Sequence, residues 1–325
     1  YSSTFLGEEF FLADHRVRVN GSGLQKVLPG VAFLEMARAA IELASPTHLD
    51  SGTLELRDTV WLKPLVITEL KQVSTTLFTD DNDEIGYEIY SIEDGQEIVH
   101  VQGQAIFGPQ PALAALDVEL LKRQMKSRLE AFQVYSLLAA MGLIYGSAHQ
   151  GINALYLGKN QVLAELHAPA VIEASRSEYV LHPSVVDGAL QASIGLINQA
   201  DQAHGNPYVP FALESLRVLA PCTKEMFAWL RHSQHGKTEG PVAKLDIDIC
   251  DHQGNICVQM RGFVSRMLEG GLKPTHEPHH GANGKPNGPS FDTAFYQKLI
   301  TNVLNQEVSV DEAVELALGN TRNFN

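Results

Sequence analysis

The sequence predicts an α+β fold made of two copies of one module, each a long buried helix followed by an antiparallel sheet that wraps it. Three observations carry this reading. Two apolar helices open at prolines, Pro29 and Pro183, which lie 154 residues apart. Each is followed by runs of β-branched and aromatic residues broken by turn signals, without the regular βαβ alternation of a parallel sheet. Landmarks then recur at a nearly constant offset. Leu62-Lys63-Pro64 and Leu219-Ala220-Pro221 are 157 apart, and Gly95, Val99 and Gly103 match Gly254, Val258 and Gly262 at 159.

In chain order, residues 1–28 read as short strands, with a hairpin turning at Asn20-Gly21-Ser22-Gly23. Pro29-Gly30 then opens a helix that runs through about Ala44. Its charged positions, Glu35, Arg38 and Glu42, make one thin polar stripe. Val31, Phe33, Leu34, Ala37, Ala40 and Ile41 fill the rest, so the helix is mostly buried. From Leu54 to Phe107 the pattern becomes strand, as in Tyr87-Glu88-Ile89-Tyr90, with turns at Asp80-Asp81-Asn82-Asp83 and Glu93-Asp94-Gly95.

This first module covers residues 1–110, and residues 111–127 read as a connector with helical propensity. The second module covers 128–268. It opens with a helix from about Ser127 to Leu143 and continues through strands around Gln161–Leu166, the buried helix from Pro183, and strands up to Met267. Residues 269–290 are rich in Gly, Pro, Asn and His and predict a flexible linker in which His276, His279 and His280 are solvated. Residues 291–325 return to helix, with Phe295, Leu299, Val303 and Leu304 as a stripe and a capping box at Ser309-Val310-Asp311-Glu312.

Composition narrows the function classes. The chain has 325 residues, 44% hydrophobic, which is ample for such a core. Its net charge is −14, from 24 Lys+Arg against 38 Asp+Glu, with no basic cluster. That argues against nucleic acid or an anionic membrane as partner. No apolar run approaches the roughly 18 residues a membrane span needs. Cys222, Cys250 and Cys257 lack metal-ligand spacing and read as reduced core residues of a cytoplasmic protein. No glycine-rich phosphate loop suggests a nucleotide. The chain begins at Tyr1 rather than Met and is expected to be a piece of a longer polypeptide.

The most informative stretch runs from Leu181 to Gln191. Pro183 opens a helix whose apolar run is broken only by Asp187 and Gln191, four apart and therefore on one face. Two readings of Asp187 compete. Ser184-x-x-Asp187 fits a capping box, in which the carboxylate satisfies a backbone N–H. Alternatively, burial keeps the carboxyl protonated, as a general acid requires. Only the second also accounts for Gln191.

With both helices in view, the sequence resembles the dehydratase domain of modular polyketide synthases, over about residues 1–268. Four motifs stand in that family's order. His-x-x-x-Gly-x-x-x-x-Pro is matched by His15 and by Leu28-Pro29-Gly30. A Tyr-Gly motif is matched by Tyr145-Gly146, with Gln150-Gly151 close behind. Asp-x-x-x-Gln in a Leu-His-Pro context is matched by Leu181, His182, Pro183, Asp187 and Gln191. Val209-Pro210-Phe211 approximates a Leu-Pro-Phe motif. There are departures. Thirteen residues separate His15 from Pro29 where the family has eight, so Gly21 or Gly23 stands in for the motif glycine. The family's Tyr-Gly-Pro-x-Phe is here Tyr145-Gly146-Ser147-Ala148-His149.

The resemblance implies a double-hotdog fold and dehydration of a β-hydroxyacyl thioester, with His15 as general base and Asp187 as general acid. It gives Gln191 the task of orienting Asp187 and Tyr145 a hydrogen bond to the β-hydroxyl region. Pro29 and Gly30 stand at the start of the first buried helix, where N–H groups can meet a developing enolate. Gly30 is the best candidate for that task, with Gly21 or Gly23 as alternatives. His149 and His182 read as structural. The resemblance further implies an acyl carrier protein whose phosphopantetheine arm carries the substrate, neighbouring synthase domains, a homodimer, and no metal or redox cofactor. Two other readings remain: an isomerase or oxa-cyclase on the same fold, and a docking module acting through the tail.

Overall fold

The helix that opens after Pro29 is α2, Gly30–Ala44, and most of its side chains are buried. In the computed structural model, residues 1–19, 23–45, 52–79, 84–197, 207–233 and 244–267 are described, with isolated positions between 298 and 316. Before α2 come β1 (Ser2–Phe5), the short helix α1 (Phe10–Ala13), β2 (His15–Val19) and β3 (Gly23–Lys26). After it come β4 (Thr53–Trp61), β5 (Lys71–Thr79), β6 (Ile85–Glu93) and β7 (Gln96–Gly108). The connector holds α3 (Val118–Gln124), capped by Asp117. Then follow β8 (Ser127–Glu130), α4 (Ala131–Ala140), β9 (Leu143–Tyr145), β10 (Ile152–Leu157), β11 (Gln161–His167) and α5 (Pro183–Gln191). Four strands close the described chain: β12 (Tyr208–Val218), β13 (Glu225–His232), β14 (Lys244–Asp251) and β15 (Ile256–Met267).

The main sheet of the described residues has the order β1-β5-β6-β7-β4-β12-β15-β14-β13-β11-β10-β8. Read outward from its centre, one half runs β4-β7-β6-β5 and the other β12-β15-β14-β13. The two halves therefore repeat the same strand order, joined where β4 pairs antiparallel with β12. The glycine landmarks fall at matching places. Gly95 and Gly254 sit in the β6–β7 and β14–β15 turns with φ of 78° and 88°, a region glycine reaches without a Cβ penalty. Each half wraps one helix, α2 or α5, whose apolar side chains merge into one core with both half-sheets.

The helices also touch each other. Glu35 on α2 pairs with Arg38 at 2.7 Å, and Arg38 reaches Glu42 at 2.5 Å. The same Glu35 carboxylate accepts the Val180 N–H at 3.1 Å and the Leu181 N–H at 2.9 Å, just ahead of α5. The polar stripe of α2 is therefore largely buried rather than solvent-facing, and it fixes where α5 begins.

One predicted helix is shorter than expected. Residues 127–130 form β8, which pairs with β10, and α4 starts only at Ala131. A capping box between Glu130 and Gln133 sets that start. The three cysteines are free and buried. The turns at 20–22 and 80–83, the linker 269–290 and nearly all of the tail, including its capping box, lie outside the described residues.

Candidate active site

A second, three-stranded sheet places the histidine. In it β2 lies between β3 and β9, and the β2–β9 register sets His15 opposite Tyr145. The His15 ring sits 5.4 Å from the Tyr145 ring and 5.5 Å from that of His149. Its Nδ1 lies 2.8 Å from the Val27 carbonyl oxygen. A carbonyl only accepts, so Nδ1 carries the hydrogen and Nε2 keeps a free lone pair. Burial pushes the His15 pKa down, against the opposing pull of the Asp187 charge, and the net shift is downward. The ring is accordingly a neutral base at neutral pH.

Asp187 lies one turn into α5. The cap of that helix is His182, whose Nδ1 accepts the Ser184 N–H at 3.2 Å, and Pro183 occupies the first turn. The capping-box reading of Asp187 is therefore not realised. Its Oδ2 instead accepts from Gln191 Nε2 at 2.7 Å and faces His149 Nδ1 at 3.2 Å. The sequence-based expectation of a carboxyl kept protonated by burial needs correction. Burial does raise its pKa, but the His149 hydrogen bond, electrostatic attraction to the His15 and His149 rings and the Gln191 amide outweigh it. The free site holds Asp187 below the ordinary carboxylate range, as an anion.

One cavity collects these groups. His15, Gly30, Tyr145, Asp187 and Gln191 all line it. Its walls are otherwise largely apolar, with Leu138, Met141, Leu190, Ile194 and Phe263 among them. Tyr145 stays a protonated phenol, because burial and the nearby Asp187 charge raise its pKa well above 10. Gly30 begins α2 where β12 passes closely. A Cβ there would lie 2.7 Å from Pro210 Cγ, and the Gly30 carbonyl accepts from Trp61 Nε1 at 3.1 Å. Pro29 is the N-cap just ahead of it, so the unpaired N–H groups of the first turn start at the cavity wall. Val209 and Pro210 of the fourth motif also line the cavity, whereas Phe211 is buried in β12. Gly23 stands apart: it is exposed at the start of β3, with φ of 75°, away from the cavity lining. Gly21 is outside the described residues.

Two residues at the site escaped the sequence reading. His149, read as structural, contacts Asp187 directly. Asp14 fastens the 3-10 turn that carries it: its carboxylate accepts the Ala148 N–H at 2.8 Å, and its carbonyl accepts the Gly146 N–H at 2.8 Å. This contact explains the glycine of the Tyr-Gly motif, because a Cβ on Gly146 would meet the Asp14 carboxyl at 2.2 Å. The only local hint was the adjacency of Asp14 to His15. Among the described residues no cluster of His, Cys, Asp and Glu has the geometry to hold a metal ion, and no helix is long and apolar enough to cross a membrane.

Two helix-wrapped half-sheets with a histidine and an aspartate lining one cavity between them define a double-hotdog protein. Comparison with known proteins specifies the family. The family model described as polyketide synthase dehydratase domain matches residues 1–92, and that described as polyketide synthase dehydratase N-terminal domain matches residues 113–275. Polyketide synthase PksN of Bacillus subtilis is 38% identical over 88% of the chain, and PksM of the same organism 36% over 83%. The chain spans only 5% and 6% of those two relatives' lengths, so both are multidomain synthases. Among solved structures, a trans-AT polyketide synthase dehydratase domain from Brevibacillus brevis is 42% identical with a TM-score of 0.77, over 83% of this chain and 93% of that one. The dehydratase domain of RzxB from Pseudomonas fluorescens is 26% identical with a TM-score of 0.70, over 82% and 93%. The chain belongs to the polyketide synthase dehydratase domains, a hydro-lyase family acting in polyketide biosynthesis.

Proposed function

We propose that the chain removes water from a β-hydroxyacyl thioester presented on the phosphopantetheine arm of an acyl carrier protein, giving the α,β-unsaturated thioester. One observation carries this reading. His15, with its Nε2 left free by the bond to Val27, and Asp187, with both its hydrogen bonds on Oδ2, line one largely apolar cavity. His15 Nε2 takes the proton beside the carbonyl, and the Cα–H electron pair moves into the enolate. The first-turn N–H groups at Gly30, with Pro29 setting the turn, meet the charge growing on the thioester oxygen. The β-carbon–oxygen bond then breaks as Asp187 gives its proton to the departing hydroxyl. Tyr145 donates to the β-hydroxyl region, and Gln191 holds Asp187. Gly23, remote from the cavity, takes no part in these steps.

The anionic Asp187 of the free site fits this cycle. In the free site, with neutral His15 and anionic Asp187, the acid lacks the proton it must give, and the two groups titrate as a coupled pair. An acyl chain filling the cavity desolvates the carboxylate and raises its pKa, so that Asp187 takes up one proton from solvent. Elimination leaves one proton on His15 and none on Asp187, and release of the His15 proton to solvent restores the starting state. Each of the two groups contributes about 10²–10⁴-fold to the rate. The length of the relatives supports neighbouring synthase domains on the same polypeptide; the carrier protein, a homodimer and a cytoplasmic setting complete the proposal.

The test is mass spectrometry of a β-hydroxyacyl carrier-protein conjugate, in both hydroxyl configurations, after incubation with the domain. Loss of one water is expected, slowed about 10²–10⁴-fold in His15→Ala and in Asp187→Asn. Water loss that persists undiminished in both folded variants would overturn the reading.

A further inference from the structure

We propose that His149 is a positioning residue for the acid: its Nδ1–H and the Gln191 amide clamp Asp187 Oδ2 from two sides, so that Oδ1 alone is presented to the β-hydroxyl. This rests on the acid–base reading of the cavity and deepens it.

The geometry is a closed triangle. Gln191 Nε2 donates to Asp187 Oδ2 at 2.7 Å and to the His149 carbonyl at 3.1 Å. His149 Nδ1 returns to the same Oδ2 at 3.2 Å. Both contacts to the carboxylate thus fall on one oxygen, while Asp187 itself lines the cavity. The His149 backbone is pinned independently. Tyr135 of α4 donates its hydroxyl to the His149 carbonyl at 3.4 Å and accepts the Ile152 N–H at 2.9 Å. Asp14 holds the preceding residue of the turn, as described above. His149 is therefore anchored by α4, by α5 and by the residue next to the base.

The tautomer follows from the partners. A carboxylate only accepts, so the hydrogen sits on Nδ1. Nε2 of His149 is fully buried and reaches no partner among the described residues. A ring kept only for packing would need no hydrogen-bonding edge towards Asp187, and a phenylalanine would fill the space equally well. The family motif has phenylalanine at this position, so the clamp is a property of this chain rather than of the motif. Its titratable neighbours are Asp187 and His182 on α5, His15 on β2, Tyr145 on β9 and Tyr135 on α4.

The experiment compares His149→Phe, which keeps the ring and removes the donor, with His149→Asn, whose amide stands in for Nδ1–H. In the Phe variant kcat should fall about ten- to a hundredfold with KM changed less than about threefold, as expected when a reacting group is misplaced by a fraction of an ångström to an ångström. The alkaline limb of its pH profile, where Asp187 loses its proton, should move to higher pH, because a donor to the carboxylate has gone. The Asn variant should recover most of kcat and the original limb. In the unmodified protein, ¹⁵N spectra of labelled histidine should show His149 as the Nδ1–H tautomer, a readout independent of how the variants fold. A Phe variant with unchanged kcat and pH limb, or an Nε2–H tautomer, overturns the proposal. Either result leaves the acid–base reading standing if His15→Ala still abolishes water loss. Water loss that survives His15→Ala sinks that reading instead.

Discussion

Helices α2 and α5 both bury polar side chains, and they use them in opposite ways. On α2, Glu35 is fully engaged: it pairs with Arg38 and accepts two backbone N–H groups from the segment leading into α5. None of Glu35, Arg38 and Glu42 lines the cavity. On α5, Asp187 has both its hydrogen-bond donors on one oxygen and lines the cavity. Buried polar groups that close on one another hold a structure together. A buried carboxylate left half-satisfied at a cavity wall is a group kept for a ligand.

This contrast can be broken by measurement. Removing the closed cluster should cost the most stability. Glu35→Ala leaves Arg38 with Glu42 alone and orphans the Val180 and Leu181 N–H groups, and about 3–5 kcal/mol should be lost in urea unfolding. Asp187→Asn, which alters the open cluster, should shift stability by less than about 1 kcal/mol while it removes activity. Equal losses from the two variants would erase the distinction drawn here.

Next in size is the acid sensitivity shared by both halves. Burial lowers the pKa of His100, which bridges Ser91 and the Lys63 carbonyl, to about 4, and that of His182 likewise to about 4. The unfolded chain takes up these protons near pH 6.5 and the native one only near 4. Stability is therefore intact above 6.5 and falls as the pH drops towards 4, by about 3 kcal/mol for each ring. His100→Asn and His182→Asn, the latter preserving a cap, should each reduce the loss between pH 7 and 4.5 by about 2–3 kcal/mol. If the slope is unchanged, these rings charge without unfolding the protein.

The smallest effect belongs to Gly30. A methyl group there meets Pro210 and the Trp61 indole, and Gly30→Ala should cost about 1–3 kcal/mol. If α2 shifts to make room, kcat should fall as well, because the first-turn N–H groups move with it.

Much of this architecture was legible in the sequence. The burial of α2 and α5 follows from their apolar faces, and α2 begins at Gly30 and α5 at Pro183, as the prolines indicated. The repeat offsets anticipated two half-sheets of the same strand order. Where the sequence misled, a local signal lost to a longer-range one. Residues 127–130 have helical neighbours but pair as a strand with β10, which needed an edge partner. The charged stripe of α2 carried no sign of its partners: Glu35 turned inward to N–H groups 145 and 146 residues away.

The sequence by itself determined which faces of α2 and α5 are apolar, where those two helices start, and that Asp187 and Gln191 share a face. Those properties depend on residues within a turn or two of one another, and periodicity records them. Only the tertiary structure decided that His15 meets Tyr145 across a strand pair, that Asp14 fastens the turn bearing His149, and that Asp187 is an anion in the free site. Each of these depends on partners that are distant along the chain or lie on other elements. No local pattern encodes such a partner; it is chosen when two half-sheets and two helices pack into one core and bring their ends to a single cavity.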